Sequence, residues 1–105
     1  MDYEKILEDQ KRLKETDNFF EAFSFMKDGA FGKGSIPKKY KELMGLAIAI
    51  TSKSEEAIFI HLNNCKEIEC TKQEIVEVIK VVLATGGDVL MPWAMRTLNY
   101  FEELK

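Results

Sequence analysis

Histidine occurs once in this chain, cysteine twice, tryptophan once and proline twice. Each scarcity closes off a class of protein. A single histidine and no CxxC leave no convincing ligand set for zinc, since Glu55 and Glu56 precede His61 by six and five residues and complete no recognised pattern. No metal and no other cofactor is therefore expected. Two cysteines do not build a disulfide framework, and on one continuous helix the spacing from Cys65 to Cys70 would hold the Cα atoms about 8–9 Å apart, too far to bridge. Free thiols are the expectation. Charge of one sign is also missing: 15 basic against 18 acidic side chains give a net −3 with no like-charge block, so no nucleic-acid or anionic-membrane partner is expected. The longest apolar stretch, Leu43 to Ile50 with Gly45 counted, is far below the roughly 20 residues that span a bilayer. The first ten residues are charged from Asp2 onward and lack the plan of a secretory signal, which points to the cytoplasm.

What is present is helical spacing across 105 residues, read as one all-α domain of six helices covering 1–105. The first helix is expected from Tyr3 to about Leu13. Thr16 and Asp17 then cap an aromatic segment, Phe19 to Met26, expected to end near Lys27 and to bury much area. Asp28 to Ser35 reads as a glycine-rich loop, without a phosphate-binding arrangement. Ser35 and Pro37 start a third helix to about Thr51 whose inward stripe is Tyr40, Leu43, Met44, Ala47 and Ile50. That helix is apolar on several sides, so it should be buried by neighbours or by another subunit, and Gly45 within it suggests a close helix approach. A fourth helix is expected from Glu55 to about Glu69, with Ile58, His61, Leu62 and Cys65 inward. Thr71 and Glu74 form a capping box for the fifth, which Gly86 and Gly87 stop. The last begins near Asp88 or Val89 with Pro92 in or near its first turn, and Met44, Met91 and Met95 read as fillers of the core.

Three residues are candidates for chemistry. His61 lies on an inward stripe, where it serves either as a hydrogen-bonded core residue or as an acid–base group. Glu42, one turn after Lys38, serves either as a solvated ion-pair partner or as a catalytic acid–base group. Cys65, one turn beyond His61, is either an inert buried thiol or a reactive one activated by the imidazole.

The run Lys41-Glu42-Leu43-Met44-Gly45-Leu46-Ala47-Ile48-Ala49, followed by His61 and Thr71-Lys72-Gln73-Glu74-Ile75, resembles the carboxymuconolactone decarboxylase family, which includes the alkylhydroperoxidase D-like proteins. The likeness extends from about Phe19 to Leu104. It implies an all-helical homo-oligomer, a trimer or hexamer, acting on a small-molecule substrate. Redox members of that family carry a glutamate, a cysteine twelve residues later, a second cysteine three further and a histidine four beyond. Here those positions fall on Glu42, Ser54, Ala57 and His61, so the acid and the imidazole are kept while the thiol pair is not; the position before the second thiol is Glu56. The resemblance implies an antioxidant, peroxidase-like oxidoreductase in which Glu42, His61 and a substitute thiol at Cys65 act together. A decarboxylase-type lyase needing only Glu42 and His61, and a binding protein that has lost the chemistry, are the alternatives.

Overall fold

A computed structural model describes residues 2–104. Among them the order is α1 (Tyr3–Thr16), α2 (Asn18–Phe31), α3 (Lys38–Thr51), α4 (Glu55–Glu67), α5 (Lys72–Gly86), a short 3-10 turn (Asp88–Leu90) and α6 (Met91–Glu103), with no strand. The chain divides into two compact units, one up to Lys38 and one from Lys39 onward.

The amino-terminal unit is a pair of packed helices. Asp2 caps α1 through the Glu4 amide at 3.0 Å, and Asp17 caps α2 through the Phe19 amide at 2.8 Å, so each helix starts where a carboxylate can take an orphan N–H. The second helix runs four residues past the expected stop and includes Gly29, so the loop is shorter than the glycine content suggested. Its aromatic side chains are not core. No residue of α2 is buried, and Phe19, Phe23, Phe25 and Met26 are exposed, because two helices can cover only one face of each other.

The second unit holds the main core, with Leu46, Ile50, Ile58, Leu62, Cys65 and Ile75 fully enclosed. Pro37 stands just ahead of α3 rather than within it. The inward face of α3 also differs from the expected stripe. Glu42, Gly45, Leu46, Ala49 and Ile50 are buried, whereas Tyr40, Met44 and Ile48 are exposed. Met91 and Met95 lie at the surface as well, so the methionines are not core fillers.

Both α3 and α4 end in the same reversal. In α3, the Lys53 amide bonds Ile50 O at 3.0 Å and the Ser54 amide bonds Ala49 O at 3.1 Å; in α4, the Glu69 amide bonds Lys66 O at 3.2 Å and the Cys70 amide bonds Cys65 O at 2.8 Å. These are Schellman motifs, and they set Lys53 (φ 58°) and Glu69 (φ 63°) in the left-handed region usually given to glycine. The fourth helix therefore stops at Glu67, two residues short of its expected end, and Cys70 lies beyond it. The capping box of α5 is present in full, with the Glu74 amide to Thr71 Oγ1 at 3.1 Å and the Thr71 amide to Glu74 Oε1 at 2.8 Å. After α5, Gly87 takes φ 86° and ψ 179°, a conformation open only to glycine.

Candidate functional site

Glu42 points from the first turns of α3 into the second unit and is 3% exposed, which removes the solvated-pair alternative. His61 reaches it from the middle of α4, with its Nδ1 at 2.9 Å from Glu42 Oε2 and its own exposure at 8%. Asn64, one turn along α4 from the histidine, turns its amide nitrogen toward both oxygens of the same carboxylate at 3.4 Å. The burial of an acid is thus compensated by an imidazole and an amide, as a low-dielectric interior requires. A carboxylate beside Nδ1 orients the imidazole and favours a proton on that nitrogen.

Gly45 makes this geometry possible. One turn after Glu42 its backbone lies directly against the imidazole: a Cβ built there would sit 2.6 Å from His61 Cε1 and 2.9 Å from Nδ1. Any side chain would push the ring off the carboxylate. Sequence reasoning placed a close helix approach at Gly45 but did not identify the approaching group; the signal was its position one turn from Glu42. Asn64, at i+3 from His61, was missed altogether.

The third candidate, Cys65, is on the same face of α4 and fully buried. Burial pushes its thiol far above the usual cysteine range, with the neighbouring Cys70 and the negative charges of Glu42 and Glu74 adding to the effect. At rest it is a protonated thiol. Cys70 stands 3.6 Å away, and the two are free. The end of α4 is what brings them together, since the Schellman reversal places the residue after the left-handed position back against the last full turn. The helix break that a bridge would need is therefore present. Cys70 is also pushed up by burial, though a hydrogen bond from Cys65 and the nearby Lys39 ammonium work in the opposite direction.

At the other end of α4, Ser54 and Ala57 occupy the cap and the third helical position. Ser54 Oγ accepts from the Ala57 amide at 3.3 Å. The hydroxyl is engaged in holding the helix start, and Ala57 has no side-chain chemistry. Among the described residues no three histidine, cysteine or acidic side chains gather as a metal site, and no helix is long and apolar enough to cross a membrane. On the outer side of α3, Tyr40, Met44 and Ala47 line a groove of about 430 Å³ with Glu77, Val78 and Val81 of α5; Glu42 and His61 do not line it.

The fold is shared with proteins of known structure. The chain is similar to a carboxymuconolactone decarboxylase family protein of Legionella pneumophila in its apo form, with a TM-score of 0.89 and 25% identity over 95% of this chain and 90% of that one. It is similar to another from Thermotoga maritima, for which involvement in an antioxidative response has been suggested, with a TM-score of 0.83 and 26% identity over 94% and 88% of the two chains. An uncharacterised protein of Cupriavidus necator is 26% identical over 83 residues, 79% of this chain and 74% of its own length. The carboxymuconolactone decarboxylase family profile matches residues 17–99, and with most of its length so covered the chain belongs to that family.

Proposed function

We propose that the protein is a peroxidase-like oxidoreductase of antioxidative defence, in which Glu42 and His61 relay protons while a cysteine thiol reduces a hydroperoxide. The observation that carries this reading is the buried 2.9 Å contact between the two groups, framed by Gly45 and Asn64. A carboxylate that orients an imidazole gives a general base, and a desolvated thiol is a nucleophile only once its proton has been removed. Cys65, one turn from His61, together with Cys70 beside it, supplies the thiols that Ser54 and Ala57 leave vacant. The suggested antioxidative involvement of the Thermotoga maritima relative supports the same assignment. The substrate is a small hydroperoxide, the setting a reducing compartment such as the cytoplasm, and the assembly a homo-oligomer, trimer or hexamer, for which the exposed apolar face of α3 is the supporting feature.

A lyase of the decarboxylase type is the second reading, favoured by one observation: the head of α4 offers no thiol, and proton transfer by Glu42 and His61 needs none. One set of assays separates the two. With a dithiol reductant supplied, hydroperoxide consumption is expected to fall about 10²–10⁴-fold in His61→Gln, the usual worth of general acid–base catalysis, and to fall in Cys65→Ser, where the resolving thiol is gone. Equal rates in wild type and both variants overturn the redox reading. Turnover of a lactone or β-keto acid that survives Cys65→Ser but not His61→Gln establishes the lyase instead.

A further inference from the structure

We propose that Cys65 and Cys70 are a redox pair that a hydroperoxide closes into an intramolecular disulfide, Cys70 attacking the oxidant and Cys65 resolving the product. The choice of oxidant rests on the function proposed above; the pairing rests on geometry alone. Two unbonded cysteines stand 3.6 Å apart at the end of α4, held by two backbone hydrogen bonds of the Schellman reversal. The residue between α4 and Cys70 that makes the reversal, Glu69, is a non-glycine in the left-handed region, so backbone strain is stored at this corner. A small closure of that corner brings the sulfurs to the bonded separation of about 2.0 Å. Continuous helix would forbid the bond; this helix end supplies the chain reversal that permits it.

The order of events follows from exposure and charge. Cys70 is 5% exposed and Cys65 not at all, so an oxidant entering from solvent meets Cys70 first. The Cys65 thiol hydrogen-bonds Cys70, and the Lys39 ammonium lies near enough to favour its thiolate, against the opposing carboxylates of Glu74 and Glu42. In the first step the Cys70 sulfur attacks one peroxide oxygen, the O–O bond breaks, and the thiol's proton ends on the departing alkoxide. An alcohol leaves, or water when the oxidant is hydrogen peroxide, and Cys70 is a sulfenic acid. In the second step the Cys65 sulfur attacks that of Cys70, the S–O bond breaks, and hydroxide leaves as water with the Cys65 proton. The two thiols have lost two electrons and the peroxide has gained them. An external dithiol completes the cycle by exchange, returning both protein thiols and leaving as its own disulfide.

The test is thiol counting and peptide mapping of the intact chain after hydrogen peroxide or, separately, diamide. The expected result with both reagents is loss of both free thiols in a single chain, a recovered peptide joining Cys65 to Cys70, and full return with dithiothreitol. In Cys65→Ser, peroxide should leave Cys70 as a sulfenic acid captured by dimedone; in Cys70→Ser, Cys65 should be oxidised about tenfold or more slowly, as a buried thiol is. The pairing is overturned if neither reagent joins the two residues, if the bridges formed link separate chains, or if both sulfurs proceed to sulfinic acids without bridging. Closure by diamide but not by peroxide overturns the assigned oxidant. Peroxide turnover that continues with no bridge at any stage overturns the pairing and leaves the proposed function standing.

Discussion

The two faces of α3 invert the usual distribution of polarity. The buried face presents a carboxylate and a glycine, Glu42 and Gly45, beside Leu46 and Ala49, while the exposed face presents Tyr40, Met44 and Ile48, the last 67% exposed. A helix selected for packing alone would turn the other way, because burying a carboxylate costs several kcal/mol and burying Ile or Met returns about 1.5–3 each. The difference teaches that the inner face is held by its contacts with His61, and that the outer one is fit for cover by a further surface.

That contrast can be broken from the inside. Glu42→Ala leaves the buried imidazole and the Asn64 amide without their acceptor; each buried donor left unsatisfied costs about 1–3 kcal/mol, and chemical denaturation should show a loss of the sum of the two together with lost turnover. Gly45→Ala is the next largest. The added methyl would sit 2.6 Å from the imidazole, so a destabilisation of about 1–3 kcal/mol is expected, with His61 displaced from Glu42 in a crystal structure of the variant. An unchanged His61 position would sink the clearance argument.

From the outside the same comparison predicts little change in the single chain. Ile48→Lys should alter monomer stability by no more than about 0.5 kcal/mol, as exposed substitutions do, yet it should shift sedimentation toward smaller species if this face joins copies. The smallest effect concerns acid. Glu74 has its carboxyl held below the usual 4.5, chiefly by the Thr71 backbone amide and then by Lys39, whose ammonium is 2.9 Å away. A lowered acid stabilises the fold above its ordinary pKa and loses that contribution as pH falls through the lower folded value. A slight stability drop below pH 4.5, absent in Glu74→Gln, is the expected trace.

The fold was legible because capping and period are local: Asp17, the Thr71–Glu74 box and the Gly86–Gly87 stop mark boundaries that need no tertiary information. The face of α3 was not. Periodicity finds apolar residues on several sides of that helix, and a buried Glu42 looks polar until its partner, nineteen residues later, is in place. Sequence distance likewise hid Asn64. Cys65 and Cys70 came together only because Glu69 adopts a left-handed conformation that no glycine announced. The overexpectation of core in α2 has the same origin, since counting aromatics cannot show which of them find a neighbour.

Ser54 serves both of the helices it joins. Its amide closes α3 on Ala49 O, its carbonyl accepts from Ile58 at 2.9 Å, and its hydroxyl caps α4. Installing a CxxC dithiol through Ser54→Cys and Ala57→Cys would therefore remove a structural oxygen in the act of adding a reactive sulfur. The graft can hold only if the new sulfur, as a thiolate, accepts the amide that the hydroxyl accepted before, so that reactivity and helix initiation would become one property of one atom.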